Sequence, residues 1–197
     1  MIKKVSRKRF LKNYPNFPVA SPYRNKYFFP ETYNSYILYA ESRSTIGLCN
    51  NASAGTTALI KGMGFQEMFF LGDTTSPWLF RDHDYKPVKQ GLDYLVQQNI
   101  SKSFNGAINV NKIDFSVFLK HLFWLVRCNG VVFSPHFSDA QFNVIMSICQ
   151  YGNIHLSTLN ETTDQLLNTS VLSTGLKFLK EERCTSYKIP HRISTYV

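Results

Sequence analysis

The chain has no apolar run of membrane-spanning length. None of its four cysteines, Cys49, Cys128, Cys149 and Cys184, forms a Cys-x-x-Cys pair, and each lies in or beside an apolar run. No two of the five histidines, His83, His121, His136, His155 and His191, have zinc-motif spacing. There is no Gly-x-Gly-x-x-Gly and no Walker Gly-Lys-Ser/Thr run, so nucleotide chemistry is unsupported. No internal repeat or low-complexity tract is present. The basic start lacks a signal core, because Asn13-Tyr14-Pro15-Asn16 interrupts it. Together these absences predict a cytoplasmic protein with reduced, buried thiols, no metal, no cofactor and no membrane partner.

Aromatic residues, by contrast, are plentiful, with 16 Phe and 11 Tyr in 197 residues, enough for a sizeable core. The formal net charge of +9 favours an anionic partner. That charge is uneven. The first 30 residues carry Lys3, Lys4, Arg7, Lys8, Arg9, Lys12, Arg24 and Lys26 and no acid. Pro15, Pro18, Pro22 and Pro30 lie in the same stretch and block both helix and ladder. Residues 1–30 therefore read as an extended basic arm with a short helix over Lys3 to Lys12. Such an arm is either a solvated tail or a non-specific phosphate contact.

In residues 31–133 strands and helices alternate. Tyr36 to Ala40, Met68 to Leu71 and Gly106 to Val110 read as buried strands. Ser44 to Gly64, Pro87 to Asn99 and the stretch after Asp114 (Phe115, Phe118, Leu119, Leu122, Phe123) read as helices. The alternation predicts a three-layer α/β unit on a parallel sheet. Three features suggest chemistry here, and each has a plainer reading. Asp73, which closes a strand, is a phosphoacceptor or a turn former. His83 in Arg81-Asp82-His83-Asp84 is a catalytic group or part of a solvated loop. Cys49 is the nucleophile of a Cys-dependent enzyme or a small buried residue. The plainer reading prevails in each case, and no catalytic residue is expected.

Residues 134–197 begin Ser134-Pro135-His136-Phe137-Ser138-Asp139-Ala140-Gln141. Phe142, Ile145, Met146 and Cys149 follow at helical spacing, and Thr169 to Lys180 form a second run with hydroxyls and lysines on one face. Val171, Leu172, Leu176 and Leu179 make up the opposite face. An exposed helix of that kind suits a DNA groove. The order Phe137-Ser138, Gln141, apolar helix, linker, Leu-containing polar helix, Thr/Ser-led helix ending Lys-Phe-Leu-Lys resembles the helix-turn-helix domain of LuxR/FixJ-type bacterial regulators, and more closely its degenerate forms in enteric acid-resistance and fimbrial regulators. The resemblance implies a shortened receiver-like α/β domain with a parallel sheet over 31–133, followed by a small all-α helix-turn-helix domain over 134–197. It implies a transcriptional regulator rather than an enzyme, binding double-stranded DNA as a homodimer or as a heterodimer with a related regulator. On this reading Thr169, Ser170, Ser173, Thr174 and Lys177 face bases or phosphates, and Lys180, Arg183, Lys188 and Arg192 contact phosphates. A non-DNA-binding partner of such a regulator is the alternative, since the formal charge of 134–197 is zero, with five acids (Asp139, Glu161, Asp164, Glu181, Glu182) against five bases.

Overall fold

A computed structural model of the chain describes residues 2–20, 27–73, 76–128, 132, 135–180 and 184. In chain order the elements are β1 (Lys3–Val5), α1 (Arg7–Asn13), β2 (Val19–Ala20), β3 (Tyr27–Phe28), β4 (Asn34–Ala40), α2 (Thr45–Gly62), β5 (Glu67–Leu71) and α3 (Lys86–Gln97). They continue with β6 (Ala107–Asn111), α4 (Phe115–Arg127), β7 (His136–Asp139), β8 (Val144–Ile148), β9 (Ile154–Thr158), α5 (Glu161–Val171) and β10 (Leu176–Phe178). Local chemistry explains several boundaries. The Ser44 hydroxyl accepts from the Gly47 N–H at 3.0 Å and starts α2. Asn160 accepts from the Thr163 N–H at 2.9 Å and starts α5, whose first turn carries Glu161 and Asp164.

One eight-stranded sheet, in the order β1-β6-β5-β7-β8-β9-β4-β10, organises the molecule. Alternation along its strands sends Leu38, Met68, Phe70, Ile108, Phe137, Met146 and Leu156 to one face, where they are fully buried or nearly so. That face packs against helices α2, α3, α4 and α5, with α4 between α2 and α3. The opposite, outer face is divided. Over β5, β6 and β7 it is covered by the N-terminal segment, where Phe10 and Phe17 are buried against Leu71 and Ala107. Over β8, β9 and β4 no helix among the described residues covers it. Among the described residues no helix is long and apolar enough to cross a membrane.

The parallel, receiver-like sheet is not what forms. Every ladder among the described residues is antiparallel. The helices lie between strands in sequence, as expected, but the connecting lengths reverse the strand direction. After β5 the chain turns beneath Trp78, whose Nε1 donates to the Gly106 carbonyl at 2.9 Å. That bond places the start of β6 at the end where β5 finishes, so β6 runs back along β5.

The all-α helix-turn-helix domain expected over 134–197 is likewise replaced by sheet. Strands β7, β8 and β9 lie in the middle of the same sheet, between β5 and β4. Of the run Phe142, Ile145, Met146, Cys149, the middle two lie in strand β8 and the outer two flank it, so no helix forms there. The proposed recognition helix is three pieces: the end of α5, a turn at Ser173-Thr174-Gly175, and edge strand β10. Gly175, at φ +74°, turns the chain into β10 with a backbone conformation that L side chains rarely adopt. The N-terminal arm, too, is built into the fold. Its β1 pairs with β6, and Arg7 donates to the carbonyls of Gly72, Asp73 and Asn105 at 3.0–3.2 Å.

Candidate functional site

The described residues among those expected to read DNA do not form one face. Thr169 donates back to the Gln165 carbonyl at 2.7 Å, and Ser170 is buried on α5. The Ser173 and Thr174 hydroxyls close the following turn onto the Ser170 and Val171 carbonyls at 3.1 and 2.8 Å. Lys177 pairs with Glu41 at 2.8 Å across the sheet edge. Lys180 is exposed at the mouth of a pocket. Arg183, Lys188 and Arg192 lie outside the described residues.

The other candidates sit in ordinary structural surroundings. The Asp73 carboxylate accepts from the Ser76 N–H at 3.2 Å, a turn-forming bond. His83 Nδ1 accepts from the Tyr85 N–H at 3.0 Å in an exposed loop. Cys49 is buried within α2, and burial pushes its thiol up to about 11, away from the thiolate that a nucleophile needs.

The open half of the outer face holds what the sequence reading missed. Ladder register lines up His136, Ser147, His155 and Ile37 on neighbouring strands β7, β8, β9 and β4. A second line runs Ile145, Ser157, Ser35, with the Ser157 and Ser35 hydroxyls 2.9 Å apart. All of these except Ile145 line a pocket of about 800 Å³, together with Phe29, Leu179 and Lys180. Phe29 stands edge-on to the His136 ring, with centroids 6.2 Å apart. Burial, and secondarily His155, pushes the His136 imidazole down to about 4. Burial also lowers His155. Both rings are therefore neutral near pH 7.

At one end of this pocket His155 meets two thiols. Its Nε2 lies 3.2 Å from Cys184 Sγ, and Cys149 Sγ lies 3.4 Å from the same sulfur. All three donor atoms lie within 4.8 Å of one another. The β8–β9 hairpin shapes this corner. Gly152, at φ +82°, lets its N–H reach the Cys149 carbonyl at 2.9 Å, and the Cys149 N–H reaches the Asn153 carbonyl at 3.0 Å. Backbone N–H groups of Tyr151 and Asn153 donate to the Cys149 sulfur and lower its pKa, but burial outweighs them and holds it at about 11. The Asn153 amide donates to Cys184 Sγ at 3.3 Å.

The chain matches no family model, no curated protein and no solved structure. The likeness to LuxR/FixJ regulators gains no support from these comparisons, and the geometry alone carries the functional argument. The signal available in the sequence was slight. The histidines and cysteines of the site come from separate strands and from a position 35 residues beyond Cys149, so no spacing rule applies to them.

Proposed function

We propose that the protein binds a small molecule on the open half of the outer sheet face. One observation carries the reading: a pocket of about 800 Å³ floored by register-aligned His136, Ser147, His155, Ser157 and Ser35. Its size is that of small-ligand sites, which combine apolar walls with a few convergent polar groups. Neutral imidazoles and hydroxyls favour a ligand with a hydrogen-bonding, uncharged edge. Phe29, Ile37 and Leu179 favour a flat apolar body, and Lys180 at the mouth favours a single negative group. The ligand class is therefore an aromatic or heteroaromatic acid, and the protein acts as a binder rather than an enzyme. The four free thiols fit a reducing, cytoplasmic setting.

The test is protein-observed NMR with a small set of aromatic carboxylic acids. Saturable shifts at the amides of Ser35, Ile37, Ser147 and Ser157, abolished by Ser147→Trp, are the expected result. Binding that maps elsewhere, or that survives Ser147→Trp, refutes the reading.

A second reading keeps the nucleic-acid partner but moves the contact. Lys3, Lys8, Arg9 and Lys12 are exposed on β1 and α1. They favour non-specific contact with a phosphate backbone, which needs neither a recognition helix nor the dimer that paired half-sites demand.

A further inference from the structure

We propose that Cys149, His155 and Cys184 bind one zinc ion, with the fourth position taken by water or by a ligand from the adjoining pocket. The inference concerns the metal alone and does not depend on the small-molecule reading above. It rests first on spacing. Zn–S bonds of about 2.3 Å and Zn–N bonds of about 2.0 Å in a tetrahedron set donor–donor edges of roughly 3.5–3.8 Å. The Nε2–Sγ and Sγ–Sγ separations of 3.2 and 3.4 Å through Cys184 are already close to those edges. Small outward rotations of the side chains complete the fit.

The donor set is the second argument. Two thiols and one imidazole nitrogen suit a borderline ion such as Zn²⁺, whereas Mg²⁺ and Ca²⁺ require oxygen. The third argument is the surrounding shell. The Tyr151 and Asn153 backbone N–H groups donate to Cys149, and the Asn153 side-chain amide donates to Cys184. Donors aimed at sulfur orient the ligand atoms, and Asn153 itself is buried. Binding is balanced by proton release. Each thiol loses its proton to solvent as its sulfur bonds the metal, and neutral His155 contributes the Nε2 lone pair with its proton on Nδ1.

The experiment uses the full chain, reduced with a phosphine and stripped by a chelator. Zinc is titrated in competition with a chromophoric chelator, and cobalt is used as a spectroscopic stand-in. The expected result is one metal per chain and a thiolate-to-cobalt charge-transfer band. Cys149→Ser, Cys184→Ser and His155→Gln each lose the band and weaken zinc binding by more than about 100-fold, since even outer partners are worth about 10–100-fold. Cys128→Ser, outside the cluster, retains both. Alkylation of the unmutated chain, mapped by mass spectrometry, gives the same answer without any variant. Zinc should shield Cys149 and Cys184 and leave Cys128 labelling unchanged. Less than about 0.1 metal per chain, undiminished binding in the cysteine variants, or equal labelling with and without zinc would each overturn the proposal. So would a Cys149–Cys184 disulfide that persists in the reductant.

Discussion

Asp139 shows how much structure a single buried side chain fixes. It ends β7 with only 1% of its surface exposed. Its carboxylate accepts from the Asn143 N–H at 2.7 Å, the Val144 N–H at 3.1 Å, the Gln141 N–H at 3.2 Å and the Asn143 side-chain amide at 2.8 Å. Phe142, at φ +58°, reverses the chain within a few residues, and its N–H reaches the Asp139 carbonyl at 3.1 Å. Asp139→Ala leaves these donors unanswered, and each unmet buried donor costs about 1–3 kcal/mol. Allowing for water reaching the more exposed Gln141, the expected loss is about 2–4 kcal/mol in urea unfolding. A loss below about 0.5 kcal/mol would show that the turn holds itself. The same hairpin delivers Ser147 to the pocket floor. The substitution is therefore also expected to shift the Ser147 amide resonance before the protein unfolds.

Between elements, glycine positions decide how closely helices approach the sheet. A Cβ at Gly55, inside α2, would lie 2.7 Å from Leu176 Cγ and 3.0 Å from the Thr174 carbonyl oxygen. At Gly62, near the end of the same helix, the nearest atom is Ser170 Cβ at an ordinary 3.5 Å. Alanine gains up to about 1 kcal/mol over glycine in a helix interior, while forcing bulk into a packed contact costs about 1–3 kcal/mol. The two substitutions should therefore differ in sign. Gly62→Ala is expected to be neutral or stabilising by about 0.5 kcal/mol. Gly55→Ala is expected to destabilise by about 1–2 kcal/mol and to speed hydrogen exchange in β10. Equal effects in thermal unfolding would refute the close approach. This scale also shows what the sequence made legible. Helix α4 could be read from Phe115, Phe118, Leu122 and Phe123, because a long amphipathic run fits one period only. The eight residues from Phe142 to Cys149 fit two. Phe142, Ile145, Met146 and Cys149 mark a helix face, but Val144, Met146 and Ile148 alternate with Ile145 and Ser147 as a strand does. Tertiary pairing with β7 and β9 decided for the strand, in line with the β-branched Val144, Ile145 and Ile148. The pocket was not legible at all, because register across four strands, rather than any local spacing, places His136, Ser147 and His155 side by side.

At the scale of the whole molecule, the question is where a charge of +9 can act. With a helix-turn-helix domain the cations after Thr169 would face a duplex. In the sheet that replaces it, Lys177 is paired with Glu41 on the edge strand, and Lys180 stands beside the pocket. At the other edge of the sheet, β1 and α1 hold Lys3, Lys8, Arg9 and Lys12 exposed, with no acid in the first turn of α1. Arg7 is committed to three carbonyls and Lys4 to the Asn99 carbonyl at 2.7 Å, so these two serve the fold. Among the described residues, the N-terminal edge is therefore the expected source of any non-specific affinity for DNA. Each phosphate neutralised contributes about 0.9 to the slope of log K against log salt. Replacing Lys3, Lys8, Arg9 and Lys12 together by glutamine is expected to reduce that slope by about 3–4, measured by fluorescence anisotropy on a random duplex. Lys177→Ala with Lys180→Ala is expected to change it by less than about 1. The reverse outcome would return the contact to the C-terminal cations and remove the N-terminal edge from consideration. If the unaltered chain shows no salt-dependent binding, the phosphate reading falls altogether and the small-molecule pocket stands alone.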